Sequence, residues 1–197
     1  MSATPVRKRV AILISGRGSN MRALIEASRA ADYPAEIVLV VSNRPDAEGL
    51  AVAAALGVKT AVVDQARFRR LHRNREAFDA EVDDQLMGAS VEFVCLAGFM
   101  RILSPGFVRL WEGRIINIHP SLLPAFRGLK PQAQALAAGV KTSGCTVHYV
   151  VPELDAGPTI AQAEVPILPG DSEESLSARI LEAEHKLYPL ALKKALS

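Results

Sequence analysis

The first sustained apolar run is residues 9–15 (RVAILIS), β-branched and unbroken, the pattern of a strand covered on both faces. Gly16-Arg17-Gly18-Ser19-Asn20 interrupts it, and residues 21–31 resume with apolar positions at helical spacing. The alternation then repeats. Residues 36–42 predict a second strand, 47–56 an alanine-rich helix closed by Gly57, and 60–63 a third strand. Residues 76–87 predict an amphipathic helix, 91–97 a buried strand, a short helix runs from Pro105 through Trp111, and 114–118 form another strand. After Gly144 the rhythm changes. Strands at 145–151 and 159–167 flank the turn-rich Pro152-Glu-Leu-Asp-Ala-Gly-Pro158 with no helix between them, which predicts antiparallel pairing. In the final helix Asp171 and Glu174 stand three apart, as in a capping box. The pattern predicts an α/β, Rossmann-like fold: an open, mostly parallel sheet with helices on both faces and an antiparallel strand pair near the C-terminal end. No repeat or linker divides it, so one domain over residues 1–197 is expected.

Composition narrows the class. Nearly half the residues are apolar (49%) and the formal charge is only +2, which excludes a disordered polyelectrolyte and gives no support for a nucleic-acid partner. The basic cluster at 67–75 has acidic residues directly after it and reads as a solvated helix face. Cys95 and Cys145 each sit in an apolar run, as buried free thiols do in a reducing compartment. The histidines at 72, 119, 148 and 185 show no metal-ligand spacing. No apolar stretch suits a signal peptide or a membrane span, so a cytoplasmic protein is expected.

Candidate chemistry begins at the glycine loop between the first strand and helix, where open α/β sheets collect ligands. Backbone N–H groups at Gly18, Ser19 and Asn20 can approach an anion at the positive end of the helix, with Ser19 and Asn20 adding side-chain donors. A dinucleotide loop is disfavoured, because Met21 stands where a third glycine belongs and the second strand ends at Asn43 without an acidic residue. No Gly-Lys-Ser/Thr follows, so a nucleoside triphosphate loop fails as well. A phosphate monoester fits better; a tight turn that binds nothing is the alternative.

In Arg114-Ile-Ile-Asn-Ile-His-Pro120, strand periodicity puts Asn117 and His119 on one face of an otherwise apolar strand. A buried amide and a buried imidazole each need a partner. Together they suit acyl chemistry: an amide N–H for a developing oxyanion and a histidine to give or take a proton. Asp155, in the turn between the last two strands, is the candidate to orient His119 and favour its charged form, although its position also suits an ordinary turn residue. At about 100° per residue, Glu184 falls within the apolar arc of Leu176, Ile180, Ala183, Leu187 and Tyr188 on the last helix. A carboxylate there needs either a substrate amine or ribose hydroxyls, or a structural cation.

These segments resemble the folate-dependent formyltransferases, and among them the glycinamide ribonucleotide branch. The resemblance runs nearly end to end through SGRGSN, LAGFMRILSP, INIHPSLLP, GCTVHYV, ELDAGP and GDSEESLSARILEAEHKLYP. It implies transfer of a formyl group from 10-formyltetrahydrofolate to the amine of glycinamide ribonucleotide in purine synthesis, with neither metal nor ATP, in a monomer or homodimer without nucleic-acid or membrane partners. It implies that Gly18, Ser19 and Asn20 hold the nucleotide phosphate and that Glu184 meets the nucleotide. Met100, Arg101, Ile102, Leu103 and Asn117 would line the folate site, with Arg75 at the charged folate tail. Asn117, His119 and Asp155 would be catalytic. Lys130-Pro131-Gln132 departs from the family, whose members often carry a histidine in that stretch.

Overall fold

The computed structural model describes residues 7–197. Its elements run β1 (Lys8–Ile14), α1 (Ser19–Ala27), β2 (Ala35–Ser42), α2 (Glu48–Ala55), β3 (Thr60–Val62), α3 (Gln65–Arg70), α4 (Arg75–Gly88), β4 (Phe93–Leu96), α5 (Pro105–Leu110), β5 (Ile115–His119), α6 (Pro131–Ala137), β6 (Thr142–Tyr149), β7 (Thr159–Pro166) and α7 (Glu173–Ala195). The seven strands form one sheet in the order β3-β2-β1-β4-β5-β6-β7. Pairing is parallel from β3 through β5 and antiparallel for β5–β6 and β6–β7.

The run in β1 is continuous because both faces of the sheet are covered. Val10, Ile12 and Ile14 pack with Met21 and Leu24 of α1 and Tyr188 and Leu192 of α7. Ala11 and Leu13, pointing the other way, pack with Phe68, Phe78, Val82 and Trp111. β1 pairs with β2 on one side and β4 on the other, so the chain reverses direction across the sheet between β1 and β4. The carboxyl ends of strands at such a reversal leave a crevice, and the loops after β1 and β4 open into it.

Three expectations are corrected. The box that starts the last helix is made by Ser172 and Ser175, each side chain accepting the other's backbone N–H, rather than by Asp171 and Glu174. Asp171 instead pairs with Arg179 at 2.8 Å and accepts the Leu168 N–H. The basic cluster is not one helix face. α3 ends after Arg70, His72 takes a left-handed φ of 49°, and Asn74 caps a new helix through the Ala77 N–H. α6 was not predicted; it begins after Lys130, which has φ 53°. A helix of seven residues with little polar–apolar contrast gives a weak periodic signal.

Candidate active site

The chain leaves β1 through Gly16 and Gly18. Gly18 has φ 73°, a left-handed value, and a Cβ there would lie 3.0 Å from the Gly49 Cα. On the opposing helix, a Cβ on Gly49 would fall 2.6 Å from Ile14 and 2.9 Å from the Gly16 carbonyl, which accepts the Gly49 N–H at 3.0 Å. The two glycines allow α2 to press on the loop and hold its shape. No side chain caps α1, and no acidic residue lies in its first turn. Its leading N–H groups, at Ser19 and Asn20, are therefore available to an anion.

Asn20 and Glu184 meet as neither helix alone could arrange. Asn20 Nδ2 donates to Glu184 Oε2 at 2.7 Å, joining α1 to α7. One of the two Asn20 Nδ2 hydrogens is thus engaged by Glu184. Burial pushes the Glu184 carboxyl up to about 7, while the Asn20 amide pulls it down. No lysine or arginine pairs with Glu184 among the described residues, which removes the structural cation left open above. The buried Oδ1 atoms of Asn20 and Asn43 have no hydrogen-bond partner, and both residues line the same space.

That space is a cleft of about 570 Å³ lined by the loop 15–20, Asn43, Gln65, Gly98, Met100, Gln132 and Glu184, among others. Ile118 and Pro120, which flank His119 in sequence, also line it, so the end of β5 reaches its wall. Asn43, Gln65 and Gln132 are not among the site residues expected from the sequence. Isolated polar residues at element ends carry no periodic signal.

Asn117 and His119 lie on the same face of β5 as Ile115, at the strand's carboxyl end. Antiparallel register sets Asn117 opposite His148 and His119 opposite Thr146. The turn after β6 then brings Asp155 over both histidines. Asp155 Oδ2 is 3.4 Å from His119 Nδ1, and Oδ1 is 3.8 Å from His148 Nε2. Asp155 has φ 49° and accepts the Gly128 N–H at 2.9 Å. Gly157 permits this turn, since a Cβ there would fall 1.8 Å from the Tyr149 carbonyl oxygen. His119 Nε2 lies 3.0 Å from the Phe126 carbonyl, so each ring nitrogen faces an oxygen acceptor.

His148 was missed as a site residue. Its Nδ1 is 2.9 Å from the Tyr149 carbonyl and its Nε2 is 3.3 Å from Asn117 Nδ2. A ring that donates through Nδ1 offers a lone pair at Nε2, which accepts from the Asn117 amide and fixes that amide's orientation. Burial lowers the His148 pKa below its ordinary value, in keeping with a neutral ring. The signal was present in the sequence: Thr146 and His148 alternate on β6 as Asn117 and His119 do on β5.

The segment Met100–Leu103 follows β4. Met100 N–H donates to Ser15 Oγ at 2.7 Å, and Ser104 N–H donates to the buried Asp79 at 2.6 Å. Burial raises the Asp79 carboxyl, against the pull of Ser104, Arg101 and Arg75. Between these anchors the main-chain groups of Arg101, Ile102 and Leu103 make no hydrogen bond among the described residues, although Leu103 is buried. Free peptide donors and acceptors lie beside the exposed side chains of Met100 and Ile102, a combination that suits a flat, amide-bearing heterocycle. Arg75 stands apart, exposed at the start of α4, and reaches this segment through its field on Asp79 and Arg101.

Residues 8–192 match the family model described as formyl transferase. The fold superposes on the crystal structure of phosphoribosylglycinamide formyltransferase from Brucella melitensis with a TM-score of 0.91 and 51% identity, over 97% of this chain and 96% of that one. The phosphoribosylglycinamide formyltransferase of Escherichia coli is 44% identical over 183 residues, 93% of this chain and 84% of its own length. The trifunctional purine biosynthetic protein adenosine-3 of Drosophila pseudoobscura is 57% identical over 188 residues, 94% of this chain, but the chain spans only 14% of that protein. Overall fold and sequence agree: the chain belongs to the formyl transferase family, in its phosphoribosylglycinamide branch.

Proposed function

We propose that the chain transfers the formyl group of 10-formyltetrahydrofolate to the amine of glycinamide ribonucleotide, yielding formylglycinamide ribonucleotide and tetrahydrofolate for purine synthesis. The observation that carries this reading is the meeting of Asn117, His119 and Asp155 beside a cleft whose wall includes the Gly18 loop and Glu184. In the proposal the phosphate lies at the N–H groups of Gly18, Ser19 and Asn20. Glu184 and the unpartnered Asn20 Oδ1 receive the nucleotide's hydroxyl and amine hydrogens. The folate ring edge lies along Arg101, Ile102 and Leu103, beside Met100 and Asn117, with Arg75 near its charged tail.

The nucleotide's amine nitrogen, as the free base, attacks the formyl carbon, and the carbonyl electron pair moves to oxygen. Asn117 Nδ2–H, oriented by His148, and the Nε2–H that His119 gives to the Phe126 carbonyl turn to that oxygen. Asp155 keeps Nδ1 of His119 supplied with an acceptor and takes up the proton lost by the attacking nitrogen. The carbonyl re-forms as the bond from formyl carbon to folate nitrogen breaks, and that nitrogen receives the proton. The two substrates are small molecules, and the proposal places the chain in the cytoplasm as a monomer or homodimer. No helix among the described residues is long and apolar enough to cross a membrane.

The test is an absorbance assay with 10-formyl-5,8-dideazafolate, with and without glycinamide ribonucleotide. Deformylation that requires the nucleotide and disappears in His119→Ala supports the reading. Deformylation at the same rate without the nucleotide would overturn the assigned acceptor.

A further inference from the structure

Register sets Gln162 of β7 opposite Thr146 of β6, just as it sets Thr146 opposite His119 of β5. Residues directly opposite one another share a face of the sheet, so His119, Thr146 and Gln162 form one row across three strands. The neighbouring row holds Asn117 and His148, and there the outer side chain orients the inner one directly. In the row of His119 the connection takes another route. Gln162 is exposed on the edge strand, yet its amide group points inward, toward the turn that follows His119.

Thr146 is fully buried, and its hydroxyl is fully used. Oγ1 donates to the Ser121 carbonyl at 2.7 Å and accepts from the Leu123 N–H at 3.0 Å and from Gln162 Nε2 at 2.8 Å. The other Nε2 hydrogen of Gln162 goes to the Leu123 carbonyl at 2.9 Å, which has no second donor among the described residues. Both backbone groups of Leu123 are therefore held from the sheet. The turn also lies directly on β6, since a Cβ on Gly144 would fall 2.7 Å from the Leu122 side chain. From there the contacts return to His119. Ser121 N–H donates to the His119 carbonyl at 2.9 Å, and Ser121 Oγ donates to the Ala125 carbonyl at 2.6 Å. The next residue, Phe126, has a left-handed φ of 55° and presents the carbonyl that His119 Nε2 faces at 3.0 Å. A bulky residue keeps such a backbone only where its surroundings fix it.

We infer that Gln162 is a positioning residue for His119: its amide pins the turn 121–126 through Leu123 and Thr146, and so fixes the Phe126 carbonyl that orients the imidazole. Gln162 does not line the cleft of the Gly18 loop, so it acts on the transfer step and not on the nucleotide. The kinetic consequence rests on the formyl-transfer reading; the consequence for the orientation of His119 does not.

The experiment compares the native protein with Gln162→Met and Gln162→Glu. Methionine matches glutamine in length and donates nothing. Glutamate matches its shape and, when ionised, presents only acceptors to the Leu123 carbonyl and the Thr146 hydroxyl. With 10-formyl-5,8-dideazafolate and glycinamide ribonucleotide, both variants should lower kcat about fivefold and leave both KM values unchanged. In 15N-labelled protein the ring resonances of His119 should move in both variants, while those of His72, outside the row, stay in place. Native kcat in Gln162→Glu would show that donation from this side chain is not used, and would overturn the inference. So would a raised KM with kcat kept, which assigns Gln162 to binding. A lower kcat with the His119 resonances at their native positions would reduce Gln162 to general support of the fold and overturn the inference as well. The resonance comparison needs no turnover. A native protein that fails to deformylate the folate would end the transfer reading, while the His119 resonances would still decide the positioning.

Discussion

Glu184→Gln keeps the shape of the side chain and an oxygen to accept the Asn20 amide, but removes the charge. Burial raises the carboxyl from its ordinary 4.5 to about 7. At about 1.4 kcal/mol per pH unit, that change corresponds to about 3 kcal/mol. Because the folded-state value is raised, the contribution to stability is complete below pH 4.5 and is lost as pH rises through about 7. The glutamine variant has no such loss. Urea unfolding at intervals between about pH 5 and 8, extrapolated linearly to water, measures the stability of each protein. The variant should gain on the native chain with rising pH, by up to about 3 kcal/mol at the alkaline end. Other titrating groups cancel in the difference, including His148, whose lowered basicity acts in the opposite sense and removes stability as pH falls below 6.5. The same substitution should raise the KM for the nucleotide at pH 8 and alter kcat less. A stability difference that does not change with pH, or a variant weaker than the native chain at pH 8, would refute the view that Glu184 is an uncompensated buried acid awaiting a ligand.

The remaining predictions concern the reaction centre. Asp155→Asn should lower kcat by about 10²- to 10⁴-fold with little change in either KM, since it removes the proton acceptor and keeps the shape; unchanged turnover would take Asp155 out of the mechanism. His148→Phe frees the Asn117 amide to rotate, so kcat should fall by about tenfold or more with substrate KM values nearly unchanged. A loss confined to KM would argue that His148 serves binding alone. Gly157→Ala forces a Cβ toward the Tyr149 carbonyl and must displace the turn that carries Asp155. Activity should drop on the order of 10²-fold, with about 1–3 kcal/mol lost in thermal or urea unfolding. Full activity in this variant would mean that the turn relaxes without moving the carboxylate.

Much of this protein was written in local patterns. The unbroken run at 9–15 required two covered faces, and β1 lies at the middle of the parallel strands with a core on each side. Asn117 and His119 were legible because two polar side chains at period two are conspicuous on an isoleucine strand, and Glu184 because it breaks an apolar helical arc. Those signals depend only on near neighbours and on the periods 2 and 3.6. What they could not supply was partnership between distant segments. That His148 holds the Asn117 amide follows from β5–β6 register. That Asn20 meets Glu184 follows from the packing of α1 on α7, 164 residues apart. The helix break between Arg70 and Arg75 comes from the Asn74 cap and the left-handed His72, which a run of basic residues does not announce. Periodicity fixes which face a residue takes, but the neighbour it finds there is set by how elements far apart in the chain pack.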